Sequence, residues 1–170
     1  YHGRTNLTMA MTAKNMPYKD GFGPFAGEIY RVPMSYPFRE PVEIDGGAAA
    51  VRAITMLEKQ VGANRLAAVV LEPVQGEGGF VVPAPGFVTA LAEWCTANGV
   101  IFVADEIQSG FARTGDMFAC DHEGVVPDLI TTAKGINSGY VPLGAMTVRD
   151  HVYDAIKDRF FAGGLTYSGH

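Results

Sequence analysis

Two short apolar, β-branched runs in this chain end in ionisable residues. Val100-Ile101-Phe102-Val103-Ala104 leads into Asp105-Glu106. Leu129-Ile130-Thr131-Thr132-Ala133 leads into Lys134-Gly135. A third run, Leu66 to Leu71, leads into Glu72. Runs of this kind read as parallel strands buried on both faces, which restricts the chain to an α/β architecture. Ligands of open α/β sheets bind outside the carboxyl ends of the strands. Glu72, Asp105 and Lys134 therefore fall on one expected binding edge. Any one of them alone reads equally as a solvated strand end. Three together are harder to explain that way, because a buried strand has little reason to end in charge.

The rest of the chain supports alternation of strands with helices. A short helix is expected near Thr5 to Ala13 and a strand over Glu28 to Pro33. Met34 to Asp45 holds Pro37 and Pro41 and reads as a connector. From Ala48 to Gly62, Val51, Ile54, Leu57 and Val61 recur at helical spacing. After the strand Leu66 to Glu72 comes a Gly/Pro loop, Pro73 to Pro85. A helix over Gly86 to Asn98 is expected to bury Phe87, Leu91, Trp94 and Cys95, with Gly99 closing it. Strands follow at Val100–Asp105, Leu129–Ala133 and Leu143–Val148, with a loop and a short helix between Gly110 and Pro127. The last helix, Asp150 to Lys157, presents Val152 and Ile156. The pattern predicts βαβ units and a mostly parallel sheet with flanking helices.

Composition narrows the function. Length 170 suffices for one domain, and 48% hydrophobic with 18% charged residues is ordinary for a globular protein. Net charge is −5 without a basic cluster, so nucleic acid is not an expected partner. The apolar runs are too short to span a bilayer, no signal peptide is expected, and Cys95 and Cys120 fit no metal or disulfide pattern. A cytoplasmic location is expected. The chain starts at Tyr1 rather than Met and stops after a Gly-rich segment, which reads as a fragment of a longer polypeptide.

A strand-end lysine and a strand-end acid are the groups needed by an aldehyde cofactor held as a Schiff base with a carboxylate on its pyridinium nitrogen. Asp105 can keep a ring nitrogen protonated, and Lys134, once released, can act as a general base. Gln108 can hydrogen-bond a phenolic oxygen or a carboxylate, or be a surface amide. Glu77 stands among Gly76, Gly78 and Gly79, in a loop that matches neither nucleotide-phosphate pattern and reads by itself as a turn. Tyr1-His2-Gly3-Arg4 sets an aromatic for stacking beside a guanidinium for a carboxylate, or forms a loop with a surface salt bridge. Thr166 and its neighbours offer hydroxyls to a phosphate, or make a tight turn.

Five motifs stand here in order: Tyr-His-Gly-Arg-Thr, Glu-Pro-Val-Gln-Gly-Glu-Gly-Gly, Asp-Glu-Ile-Gln-Ser-Gly-Phe-Ala-Arg-Thr-Gly, Pro-Asp-Leu-Ile-Thr-Thr-Ala-Lys-Gly-Ile and Leu-Thr-Tyr-Ser-Gly-His. Together they resemble the class III (omega-amino acid) aminotransferases, which are fold-type I pyridoxal-phosphate enzymes, over essentially the whole chain. The resemblance implies that residues 1–170 are part of the cofactor-binding large domain, with the small-domain and N-terminal segments missing. It implies a ping-pong transfer of an amino group from an omega-amino acid, with 4-aminobutyrate as donor and 2-oxoglutarate as acceptor.

The same resemblance assigns roles. Lys134 carries the Schiff base and Asp105 pairs with the pyridinium nitrogen. Tyr1 and Ile107 pack on the ring, and Gln108 reaches its phenolic oxygen. Arg4 binds a distal substrate carboxylate, and Glu77 pairs with a carboxylate-binding arginine beyond His170. His2 and Glu72 are supporting residues, the latter to Gln108. Thr166 donates to the cofactor phosphate of the neighbouring subunit in a homodimer or tetramer. The segment around Thr166 is also that of taurine, β-alanine or other omega-amine:pyruvate transaminases, which stay open, as does an aminomutase-type relative. A non-catalytic α/β binding domain is the alternative outside the class. A dinucleotide-binding domain is disfavoured by the missing Gly-x-Gly-x-x-Gly.

Overall fold

Four strands assemble in chain order into one sheet, as a computed structural model describing residues 1–40, 42–161, 163 and 164 shows. They are β1 (Ala68–Leu71), β2 (Ile101–Asp105), β3 (Leu129–Thr132) and β4 (Ala145–Val148). The first three are parallel, and β4 runs antiparallel to β3. The helices are α1 (Asn6–Met11), α2 (Gly46–Gln60), α3 (Phe87–Asn98) and α4 (Asp150–Ile156). This is the expected mostly parallel α/β sheet with flanking helices.

One face of the sheet carries the core. Phe102 and Ala104 alternate on β2 and are buried with Leu71 against Leu91 and Cys95 of α3. Helix α3 runs from Gly86 to the left-handed Gly99 (φ 66°), as expected, but Trp94 is only half-buried and sends its indole N–H to Glu58. Ile101 and Val103, facing the opposite way, are only half-covered. Burial on both faces, expected from the apolar runs, is thus not reached within the described residues.

Two further expectations are corrected, and α4 forms where it was expected. Residues 28–33 form no strand, because no neighbouring strand pairs with them among the described residues. Instead Arg31 anchors the segment by donating to the Ala10 carbonyl (2.5 Å). In α2 the buried stripe is Ala49, Ala50, Ala53 and Leu57, while Val51 is 62% exposed. Small side chains let α2 approach the start of α3, and that proximity selects the face. Helix α4 buries none of its residues, and Ile156 stays exposed.

Candidate functional site

Strand register gathers the three charged ends. Leu71 pairs with Ala104, so Glu72 lies beside Asp105. Asp105 pairs with Thr131, three residues before Lys134. Asp105 is buried at the end of β2. One of its oxygens lies 2.8 Å from His2 Nδ1, and the other accepts the Ile107 N–H (3.2 Å). No lysine or arginine pairs with it among the described residues. A buried carboxylate needs such partners to offset lost hydration.

The neighbouring Glu106 is fully buried. Its carboxylate accepts from the Ser109 hydroxyl and from the Cys120 N–H (2.9 Å). Its own N–H donates to the Thr131 carbonyl on β3, and its carbonyl accepts from Gly110. Glu106 therefore clamps the turn that carries Ile107 and Gln108. The Cys95 thiol is pushed up to about 12 by burial, and burial likewise raises Cys120, so both are inert core residues.

Gln108 presses its amide against Gly76, where a Cβ would meet it at 2.0 Å. Its nitrogen donates to Glu77 Oε1 (3.0 Å). The other Glu77 oxygen accepts the Tyr18 hydroxyl. Glu77 is exposed and its carboxyl sits below the ordinary range, first through Tyr18 and then through Gln108, with Lys134 and Lys14 adding attraction. Glu72 does not reach Gln108, contrary to expectation. Its oxygens are taken by the Tyr1 backbone nitrogen (2.9 Å) and the Gly76 N–H (3.2 Å), so it supports the Gly-rich turn beneath Gln108.

Tyr18 is the residue the sequence reading passed over. Its ring stands 4.6 Å from that of Tyr1, centroid to centroid. Arg4 donates to its carbonyl (3.3 Å) and lies over Phe22, with the guanidinium left exposed. A cavity of about 300 Å³ runs along β1, with Tyr1, His2, Tyr18, Glu72 and Glu77 on its polar rim. Neither Asp105 nor Lys134 lines it, so the cavity adjoins the strand-end site and does not hold it.

Lys134 opens a 3₁₀ turn, Lys134–Ile136, just past β3. Its φ of 45° lies in the left-handed region, at a cost of about 1 kcal/mol for a residue with a side chain. The next residue, Gly135, abuts Phe111, where a Cβ would meet Phe111 Cβ at 2.8 Å. The lysine is exposed. Among the described residues its amine has neither a hydrogen bond nor an ion pair. Thr166 lies outside the described residues. No group of three or more potential metal ligands occurs among the described residues, and no helix there is long and apolar enough to cross a membrane.

The family model for class-III aminotransferases matches residues 1–170. The chain is 62% identical to the 4-aminobutyrate aminotransferase of Mycobacterium tuberculosis, over 100% of this chain and 39% of that protein. A thermostable (S)-enantioselective omega-transaminase from Thermomicrobium roseum superposes with a TM-score of 0.90 at 38% identity, over 100% of this chain and 39% of that one. An amine transaminase from an uncultivated Pseudomonas species, solved with pyridoxal phosphate bound, gives 0.91 at 34%, over 100% and 40%. The chain thus spans about two fifths of the length of the relatives it matches. With the family model covering it from end to end, the chain belongs to the class-III aminotransferases.

Proposed function

We propose that this chain forms the cofactor-binding part of a pyridoxal-phosphate-dependent aminotransferase that takes the amino group of 4-aminobutyrate and passes it to 2-oxoglutarate. The observation that carries the reading is the placement of a buried carboxylate, Asp105, and an unpaired amine, Lys134, at the carboxyl ends of adjacent parallel strands. The residues present fit the cofactor. Asp105 pairs with no lysine or arginine among the described residues and would gain a cation from a protonated ring nitrogen. Lys134 has no competing partner for its amine among the described residues. Family membership and the names of the matched relatives support the same assignment.

Bound pyridoxal phosphate supplies an aldehyde carbon for the amino group and a ring that accepts electrons. The protein's part follows from its own groups. Asp105, aimed by His2 and the Ile107 N–H, would hold the proton on the ring nitrogen. Tyr1 and Ile107 are the residues assigned to the two faces of the ring. Gln108, held by Glu77, is assigned to the phenolic oxygen of the ring. Lys134 would anchor the cofactor and, once free, would carry a proton to and from the substrate carbon. Arg4, a planar and permanently charged fork at the rim, takes the carboxylate of the donor or acceptor. Thr166 is assigned to the cofactor phosphate of a two-fold-related partner, in a homodimer.

The omega-transaminase match supports a second reading, in which the donor is another omega-amine; pyruvate is the acceptor in that reading. One experiment tests both. In the complete enzyme, Lys134→Ala should abolish the visible absorbance of the lysine-bound cofactor and turnover with every donor. Arg4→Lys should raise KM for 4-aminobutyrate and 2-oxoglutarate more than for a monoamine. Retained absorbance and turnover in Lys134→Ala would overturn the assignment, and equal Arg4→Lys effects on all donors would favour the second reading.

A further inference from the structure

We propose that Tyr18 is a positioning residue of this site: it fixes the Glu77 carboxylate and thereby steers the carboxylate of the substrate toward Arg4. The inference rests on the aminotransferase reading above. Glu77 stands between Gly76 and Gly78, in a loop that gives its side chain little restraint. Two donors hold it, one on each oxygen: the Tyr18 hydroxyl and the Gln108 amide. Gln108 is anchored through the turn that Glu106 clamps, so it is the rigid partner. Tyr18 is the partner on the other wall, beside Tyr1.

The loop presenting Tyr18 is itself tied down. Lys19 Nζ donates to the Thr12 carbonyl (3.0 Å), and Asn6 donates to the Pro24 carbonyl (2.8 Å). Lys14 lies over the Tyr18 ring, 5.9 Å from its centroid. Tyr18 thus touches Tyr1, Arg4 and Glu77 at once and closes a ring of contacts from residue 1 to residue 108. An anion fixed on this wall repels a second carboxylate and leaves Arg4 as the favourable partner for it. The bond to Tyr18 is also the main cause of the lowered Glu77 carboxyl.

The test uses the complete, cofactor-loaded enzyme. Tyr18→Phe keeps the ring on Tyr1 and removes only the hydroxyl. KM for 4-aminobutyrate should rise about fivefold to tenfold, the scale of one hydrogen bond to a charged group at a solvated site. The KM for butylamine and both kcat values should stay within about twofold. In a Glu77→Gln background the same substitution should change nothing further, because Tyr18 acts through Glu77. Equal effects in both backgrounds, equal effects on the two donors, or a KM change under about twofold would each overturn the proposal. If the wild-type enzyme transaminates neither donor, the activity reading fails separately. Carbon-13 titration of Glu77 then still decides. A midpoint that rises in Tyr18→Phe supports the positioning role, and an unmoved one overturns it.

Discussion

His2 Nδ1 lies 2.8 Å from Asp105 Oδ2, across 103 positions of sequence. The contact joins the loop that opens the chain to the end of the central strand β2. It leaves the other Asp105 oxygen to the Ile107 N–H, so the carboxylate has one orientation relative to the sheet edge. An imidazole that orients an acid in this way behaves like an outer-shell ligand of a metal site: it sets the angle of the acid that would meet the cofactor.

Asp105→Asn preserves shape and removes the charge. In the complete enzyme the rate of the half-reaction should fall by about 10²-fold or more, as when a preorganised electrostatic group is lost. His2→Phe should cost about tenfold, because it disturbs orientation only. Stopped-flow measurement of the half-reaction checks both, with circular dichroism to confirm folding. An Asp105→Asn effect below about threefold, worth less than 1 kcal/mol, would make Asp105 merely structural.

The strand-end acids and lysine were legible because a buried apolar run that ends in charge breaks its own pattern. Tyr18 was not. Its partners Tyr1 and Glu77 lie 17 and 59 residues away, and the segment around it has no periodicity to mark it. The alanine stripe of α2 was hidden for a related reason. Hydrophobic patterning weights Val51 above Ala49 and Ala50, yet close packing on the start of α3 admits only the small residues. Residues 28–33 carry β-formers such as Ile29, Tyr30 and Val32, but propensity makes no strand where nothing pairs with it.

Arg52 of α2 forms a two-pronged pair with Glu40, through bonds of 2.8 and 2.6 Å. These bonds hold the Glu40 carboxyl below its ordinary 4.5, with burial opposing. A carboxyl depressed on folding contributes stability that is present above its unfolded value and lost as pH falls through the folded one. Glu40→Gln should therefore lower the urea midpoint at neutral pH and make no difference once the medium is acid enough to protonate Glu40. Wild-type and variant curves should converge as pH drops below 4.5. Parallel curves at every pH would show that the pair contributes nothing through ionisation.

Glu123 caps α3 from outside the helix. Its carboxylate accepts from the Thr89 N–H (2.9 Å) and the Thr89 hydroxyl (2.9 Å), one turn into the helix, where no intrahelical partner exists. Glu123→Ala should destabilise by about 1 kcal/mol, the usual cost of a lost cap. Glu123→Gln keeps an acceptor but loses the favourable charge at the helix N-terminus, so it should cost less, about 0.5 kcal/mol. Urea denaturation of both variants measures the difference. Equal losses would assign the whole effect to charge and none to the cap.

Gly46 and Gly47 open α2 side by side, yet they should respond to alanine in opposite directions. A Cβ on Gly46 would meet the Pro85 carbonyl oxygen at 2.2 Å, the Phe87 nitrogen at 2.4 Å and the Ala84 carbonyl oxygen at 2.7 Å. All three are backbone atoms at the start of α3 and cannot swing aside. Gly46→Ala must separate the two helices that build the core, and should cost about 3 kcal/mol, the upper end for overpacking. A Cβ on Gly47 meets only Asp45 Oδ1, at 3.4 Å. That residue is already helical and needs no left-handed backbone, so Gly47→Ala mainly narrows the unfolded ensemble. It should stabilise by about 0.5 kcal/mol. Thermal melts of the two variants decide the matter. A Gly46→Ala protein as stable as wild type would mean that α2 does not sit on the turn before α3.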